Sequence, residues 1–392
     1  MFSKPIRLKN NFQNYDWGTF NEIPRILGME KPNTELPLAE LWVGAHPKSP
    51  SFAVDEDQPL DALIASNPIE ILGENASKMG NKLPYLFKIL SARKALSIQV
   101  HPTKAQAVEG YTQERKNDIE GNHAQCNYQD DNHKPELIYA LTKFSAMAGF
   151  RPNRELAKSL RLLQHEQFDQ WADTLAIGTS RDVEAFYGWL LHLDLDLLKD
   201  LVEHALDIAK TSEVNELKWL ESLYQLYGID LGIFFPLILN LFELKPGQAL
   251  FLGAGCPHAY LQGTGIEIMA NSDNVLRGGL TSKHMDRKEL VKITQYTEQA
   301  NCIHPQLGEL TQHVRSFEIP CPDFQFELIN LKNETHYITS SSASAELYFV
   351  VEGQCEILGE CYQQGESFLM PSALKAAVIT GQAQIGRVYT QF

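Results

Sequence analysis

Ser97, Gln99 and His101 alternate with Leu96, Ile98 and Val100 in the stretch Ala95–Pro102. On a β-strand such alternation sends the hydroxyl, the amide and the imidazole to one face and the aliphatic residues to the other. The polar set spans about 13 Å at roughly 3.3 Å per residue, and Pro102 ends the strand by removing a ladder donor. By itself the stretch reads as an edge strand with a solvated face. Two further segments can bring ligands to the same place. Glu136 heads the otherwise apolar run Leu137-Ile138-Tyr139-Ala140, where a carboxylate is costly without a cation. His258 lies beyond the Gly-rich bend Gly253-Ala254-Gly255 in a tight hairpin. Gathered at one barrel mouth, Gln99, His101, Glu136 and His258 supply two imidazoles, one carboxylate and one amide oxygen. That mixed N/O set suits Zn²⁺ and leaves room for water or substrate. With one anionic ligand the site stays net positive, which favours a Lewis acid over a redox centre.

The elements that would position these residues are mostly strands. Leu83–Leu90 is expected to form a hairpin with 95–102 through the turn Ser91–Lys94. Lys88 sits between Phe87 and Ile89, so it needs a partner, a wet cavity, or a rim position with its ammonium in water. Pro135 holds Lys134 extended, which puts Lys134 and Glu136 on one side. Trp17 and Trp42 read as packing residues. Residues 59–78 suggest short helices with Pro68 at a first turn, and 103–128 a helix with a loop.

From Pro152 the period becomes helical, with Leu156, Leu160 and Leu163, then Phe186, Trp189, Leu190 and Leu193, then Leu197, Leu201 and Ala205, then Leu217, Leu220, Leu223 and Leu226. Thr179 with Asp182 resembles a capping box, and Ser212 is a candidate cap. This block reads as four to six helices without site chemistry. Strands resume near 241. A faint repeat sets Gly247-x5-Gly253 on Gly365-x5-Pro371, an offset of 118 residues, with Ala376 in the place of His258. The two halves look like copies of one double-stranded barrel, the second without its ligand histidine. The expectation is a mainly β protein with an α-helical insertion.

At 392 residues, 44% apolar and 21% charged, the chain is an ordinary globular protein of two or three domains. Its net charge of −15, without a basic run, argues against a nucleic-acid or anionic-membrane partner. No signal core or 18-residue apolar stretch is present. Six cysteines without a CxxC pair argue against a disulfide framework or a four-cysteine zinc site. A reducing, cytoplasmic setting is expected. The single Gly263-Thr264-Gly265 lacks the third glycine and the helix of a dinucleotide fingerprint.

Taken in order, Tyr15-Asp16-Trp17-Gly18, Glu40-Leu41-Trp42-Val43-Gly44, Leu96–Pro102, Asn132-His133-Lys134-Pro135-Glu136, Pro257-His258-Ala259-Tyr260 and Asn271–Gly279 resemble the type I mannose-6-phosphate isomerases of the cupin superfamily. The match runs from residue 10 to about 290, and past 310 it is one of pattern only. The resemblance implies tandem cupin (double-stranded β-helix, jelly-roll) barrels plus an all-helical domain. The zinc barrel would take 1–151 and 241–312, the helical insertion 152–240, and a degenerate, metal-free barrel 313–392. It implies one Zn²⁺ per chain on Gln99, His101, Glu136 and His258, and a cytoplasmic isomerase acting on a small phosphorylated sugar. Mannose 6-phosphate and fructose 6-phosphate would interconvert through a cis-enediol, feeding mannose metabolism and GDP-mannose supply. Arg277 carries over as the catalytic arginine. Ser97, Lys88 and Lys283 carry over as contacts to phosphate or sugar. Lys134, His133, Glu267 and Asp273 remain candidates for the acid and base.

Without the resemblance, Arg277 reads as one half of a turn salt bridge. Two other classes also stay open. A cupin oxygenase would use Fe or Cu with three histidines, and Gln99 in place of a third argues against it. A non-catalytic sugar-binding cupin would lack a base, whereas several are on offer. A monomer or weak oligomer is expected, with neither nucleic acid nor membrane as partner.

Overall fold

The computed structural model describes residues 2–29, 35–116, 126–297, 302–332, 335–339, 344–374 and 376–391. Among these residues the strands form two eleven-stranded antiparallel sheets, with a run of helices between 153 and 238.

The first sheet is built around the long strand His258–Ala270. Its far part lies between Tyr85–Ala92 and Glu136–Ala140, while its near part pairs with Phe144–Phe150 and, at His258, with Gln99. The expected hairpin between 83–90 and 95–102 therefore does not form. The long strand pairs with both segments, and the second is shorter than expected, Ile98–Val100. A register shift between Tyr260 and Gln262, followed by Gly263 at φ +133°, bends the strand there. A Cβ on Gly263 would lie 2.7 Å from the Lys143 carbonyl oxygen, so the bend needs glycine. The bulge also reverses the in–out alternation. Even-numbered His258 and Tyr260 and odd-numbered Glu267 consequently line the same cavity.

Helices Asn153–Arg161, Glu166–Ala176, Ser180–Leu191, Leu195–Ala209 and Asn215–Tyr227 bury the periodic residues read from the sequence, apart from Leu226, which is exposed, and Trp189 and Leu197, which are half-buried. The capping box is present, with the Asp182 carboxylate accepting from the Thr179 amide at 2.6 Å. Ser212 accepts from the Val214 amide in the preceding turn and does not cap the helix. The helices pack on Ile98, Val100 and Leu276, the face opposite the polar alternation. Pro68 opens its helix as expected, and Lys104–Lys116 is helical; the expected loop at 117–125 lies outside the described residues.

The second sheet takes the C-terminal strands and also three N-terminal ones. Ile6–Lys9 pairs with Ser367–Met370, and Phe52–Ala53 and Gln58–Pro59 follow outward. The expected allocation of all of 1–151 to the zinc barrel is corrected here, because these strands complete the other sheet. The 118-residue offset is matched by the elements: Ala249–Leu252 falls on Ser367–Met370, and His258–Ala270 largely on Val378–Tyr389. Leu252 pairs with Glu136 and Met370 with Glu346, so Glu346 stands in the register of Glu136. Glu346 is buried, and Arg387 grips it with Nε at 3.0 Å and a terminal nitrogen at 2.6 Å while also reaching Glu327 at 2.7 Å. The Tyr348 hydroxyl donates to the same carboxylate.

Removing one member of a buried ion pair leaves the other uncompensated. Arg387→Ala should lower stability by about 3–5 kcal/mol in denaturant titrations. Arg387→Met combined with Glu346→Gln should recover most of the loss, and a double variant no better than the single one would contradict this account.

Candidate metal centre and active-site cavity

Strand pairing alone assembles most of the site. Trp42, Lys88 and Glu267 are lateral neighbours on three adjacent strands, and Glu267 faces Ile138, two residues from Glu136. The polar side chains of these rungs share one face and line a cavity of about 430 Å³ together with Ser97, Gln99, Lys134, His258, Arg277 and Lys283. A larger cleft of about 770 Å³ opens near Gly263 and Trp219, and none of the candidate residues lines it.

At the floor, His101, Glu136 and His258 place one ligand atom each within 4.8 Å of the others, all buried. Nδ1 of His101 lies 2.7 Å from the Asn274 carbonyl oxygen, and Nδ1 of His258 lies 2.9 Å from that of Cys256. A carbonyl only accepts, so each Nδ1 carries a proton, and in the neutral imidazole form each Nε2 presents a lone pair. Those lone pairs face the two Glu136 oxygens at 3.4 and 3.3 Å. Burial, reinforced by the Lys134 charge, pushes the His101 imidazole down to about 4, so it is neutral near pH 7. Burial opposes charge on Glu136, but the Lys134 ammonium, 2.7 Å from its Oε1, outweighs it and holds the carboxyl well below its ordinary value. Lone pairs set against a carboxylate repel one another unless a cation lies between. Buried His101 Nε2 accordingly has no hydrogen-bond partner among the described residues. The residues fit a divalent metal. Gln99 can add its amide oxygen, since it pairs with His258 on one side and Arg277 on the other.

The wall carries a second ionic set. Lys88 Nζ lies 3.0 Å from Glu267 and 3.4 Å from Glu40, while Trp42 donates to Glu40 at 2.8 Å. Burial works against the Lys88 ammonium, but Glu267 and Glu40 more than compensate and raise its pKa. Lys88 thus takes the partnered option rather than the rim. Burial raises Glu267, with the Lys88 charge opposing. At the mouth, burial lowers Arg277, and the Arg277 charge together with burial lowers Lys283. No ion pair to either is present among the described residues, so the turn salt bridge considered for Arg277 is absent there.

Two acid–base candidates point elsewhere. His133 Nε2 bonds Asp323, in the bend before strand Gln325–Leu331 of the second sheet, at 2.8 Å. Asp273 is held by Lys48 at 3.0 Å with His46 at 3.5 Å. Neither lines the cavity. The sequence reading missed Glu40, Tyr260 and Tyr227 as wall residues and gave Trp17 to packing. Glu40, between Ala39 and Leu41, carried the same signal as Lys88, a charge inside an apolar strand. Tyr227 brings the helical block, read from the sequence as without site chemistry, to the cavity wall.

Residues 6–153 match the family model for the catalytic domain of phosphomannose isomerase type I. The chain is 36% identical to the mannose-6-phosphate isomerase of Escherichia coli strain K12 over 98% of its own length and 99% of that protein, and 34% identical to the enzyme of Bos taurus over 87% and 86%. Among solved structures it superposes on a variant of the Salmonella typhimurium phosphomannose isomerase with a TM-score of 0.91 at 32% identity, covering 99% of this chain and 100% of that one. A mannose 6-phosphate isomerase bound with zinc and yttrium aligns with a TM-score of 0.90 at 33% identity and the same coverage. Full-length identity and fold agree, and the chain belongs to the type I mannose-6-phosphate isomerases.

Proposed function

We propose that the chain interconverts mannose 6-phosphate and fructose 6-phosphate through a cis-enediol, using one Zn²⁺ held by Gln99, His101, Glu136 and His258. The observation that carries this reading is the pair of Nε2 lone pairs facing Glu136 beside a cavity lined by Arg277 and Lys283, neither of which has an ion-pair partner among the described residues. Bound there, Zn²⁺ would act as a Lewis acid toward the C1 and C2 oxygens of the sugar.

The remaining roles fall to the chain's own groups. Of the four acid–base candidates, His133 and Asp273 are engaged away from the cavity and Lys134 is tied to Glu136. Glu267 is left to take the proton from C2 and return it at C1. Its neighbour Lys88, held as an ammonium, supports the carboxylate form. Arg277, laterally paired with Gln99, is placed to follow charge appearing on the enediolate oxygens, with donors fixed in a plane. Lys283, without a carboxylate partner among the described residues, suits a phosphate dianion, and the Ser97 hydroxyl suits the sugar.

We read the two sheets as tandem cupin barrels and 152–240 as a helical insertion. The second barrel would be metal-free, since Arg387 already supplies the cation that Glu346 needs. A cytoplasmic enzyme feeding mannose metabolism and GDP-mannose supply follows from the same reading. The alanine variants solved for the Salmonella typhimurium enzyme replace a lysine, a histidine, a lysine, two glutamates and an arginine in chain order, as with Lys88, His101, Lys134, Glu136, Glu267 and Arg277.

Coupled NADPH formation from mannose 6-phosphate should stop on chelation and return with Zn²⁺. His101→Ala and His258→Ala should each lose bound metal, and stoichiometric metal in both variants would refute the ligand assignment. Arg277→Ala should lower kcat by about 10²-fold, roughly 2.7 kcal/mol, with KM much less affected. Raised KM with kcat intact would make Arg277 a phosphate clamp instead. Glu267→Gln should cost about 10²–10⁴-fold in kcat. In the unsubstituted enzyme, turnover should fall on the acid side as Glu267 takes up a proton, at a pH above the ordinary glutamate range.

A further inference from the structure

Arg277 and Lys283 reach the cavity from a segment whose backbone is unusual. Gly279 has φ +139°, and Leu280, buried and not a glycine, has φ +53°. A non-glycine residue in that region is strained and persists only where its surroundings hold it. The hold comes from Asp230, in the connection between helix Asn215–Tyr227 and the short 3-10 turn Leu231–Phe234. One carboxylate oxygen of Asp230 accepts from the Gly232 amide at 2.7 Å and from the Leu280 amide at 2.8 Å, and the other accepts from the Thr281 amide at 3.3 Å. The Thr281 hydroxyl in turn accepts from the Lys283 amide at 3.1 Å. The fit is tight on both sides. A Cβ on Gly279 would come within 2.8 Å of the Gly232 Cα, and one on Gly232 within 2.7 Å of the Leu280 nitrogen. No cation pairs with Asp230 among the described residues, so its whole hydrogen-bonding capacity toward this segment goes to backbone donors.

We propose that Asp230 is a positioning residue of the isomerase. From the helical segment it fixes the backbone at 280–281, and with it the reach of Arg277 over the reacting carbons and of Lys283 toward the phosphate. The inference rests on the isomerase reading above. It adds a residue outside the cavity and gives the helical block a part in the chemistry. Tyr227, three residues earlier, reinforces the contact by lining the cavity while its hydroxyl donates to the Ala95 carbonyl at 2.5 Å.

Asp230→Ala removes all three acceptors. Asp230→Asn keeps one oxygen for Gly232 and Leu280 and sets an amide N–H group against the Thr281 N–H. Displacing a positioned group by about 1 Å can cost around 10²-fold, so kcat/KM for mannose 6-phosphate should fall about 10–100-fold in Asp230→Ala and less in Asp230→Asn. KM should rise, and competitive inhibition by inorganic phosphate should weaken, while zinc content stays at the unsubstituted level. Hydrogen exchange of the peptide spanning 276–284 should accelerate in Asp230→Ala. Unchanged kinetics in the alanine variant would overturn the proposal. So would a loss of kcat that merely tracks the folded fraction, with KM and phosphate inhibition unmoved in both variants. Should the unsubstituted enzyme fail to turn over mannose 6-phosphate, the isomerase reading falls. The exchange measurement then still decides whether Asp230 holds the segment.

Discussion

Glu136 sets the terms on which the first sheet can be built. Taking a carboxylate out of water costs several kcal/mol even after relaxation, and this one is almost wholly enclosed. Lys134 answers the charge from two residues away on the same side of the chain. The two imidazoles do not, because the carbonyls of Asn274 and Cys256 fix their protons on the far nitrogen. At the floor three candidate ligand atoms thus converge beside the Lys134–Glu136 pair, while Arg277 and Lys283 at the rim have no ion-pair partner among the described residues. Such a donor set suits a divalent metal ion.

The second sheet meets the same constraint with a different solution. Glu346 occupies the register of Glu136, yet no imidazole reaches it among the described residues. A guanidinium from the neighbouring strand occupies its oxygens from the side, and Tyr348 adds a hydroxyl. Arginine is always charged and matches a carboxylate in two parallel bonds. One half of the molecule thus sets an arginine against its buried carboxylate, and the other a lysine together with two imidazoles whose ligand atoms converge on it.

Much of the site was legible because burial makes misplaced polarity conspicuous. Ser97, Gln99 and His101 alternating with aliphatic residues, Glu136 at the head of an apolar strand, and Lys88 between Phe87 and Ile89 all announced themselves locally. Strand order was not legible, since a pairing such as His258 with Gln99 joins segments far apart and leaves no periodic trace in either. Nor was the parity reversal in His258–Ala270, which depends on a bulge at Leu261 and a glycine pressed against Lys143. His133 and Asp273 looked like acid–base groups until partners from distant segments claimed them. Asp230 was hidden for the same reason, because its acceptors meet donors fifty residues downstream.

The pairing of Ile6–Lys9 with Ser367–Met370 has a consequence for biosynthesis. A chain emerging from a ribosome usually folds domain by domain from its N-terminal end. Here the strand Ile6–Lys9 waits for the partner Ser367–Met370, made long after it, so the sheet it belongs to cannot close until that later stretch has been translated. The zinc-site strands lie between them and are complete earlier. During synthesis the catalytic half can consolidate while Ile6 and Leu8 stay exposed, in reach of chaperones and of neighbouring chains.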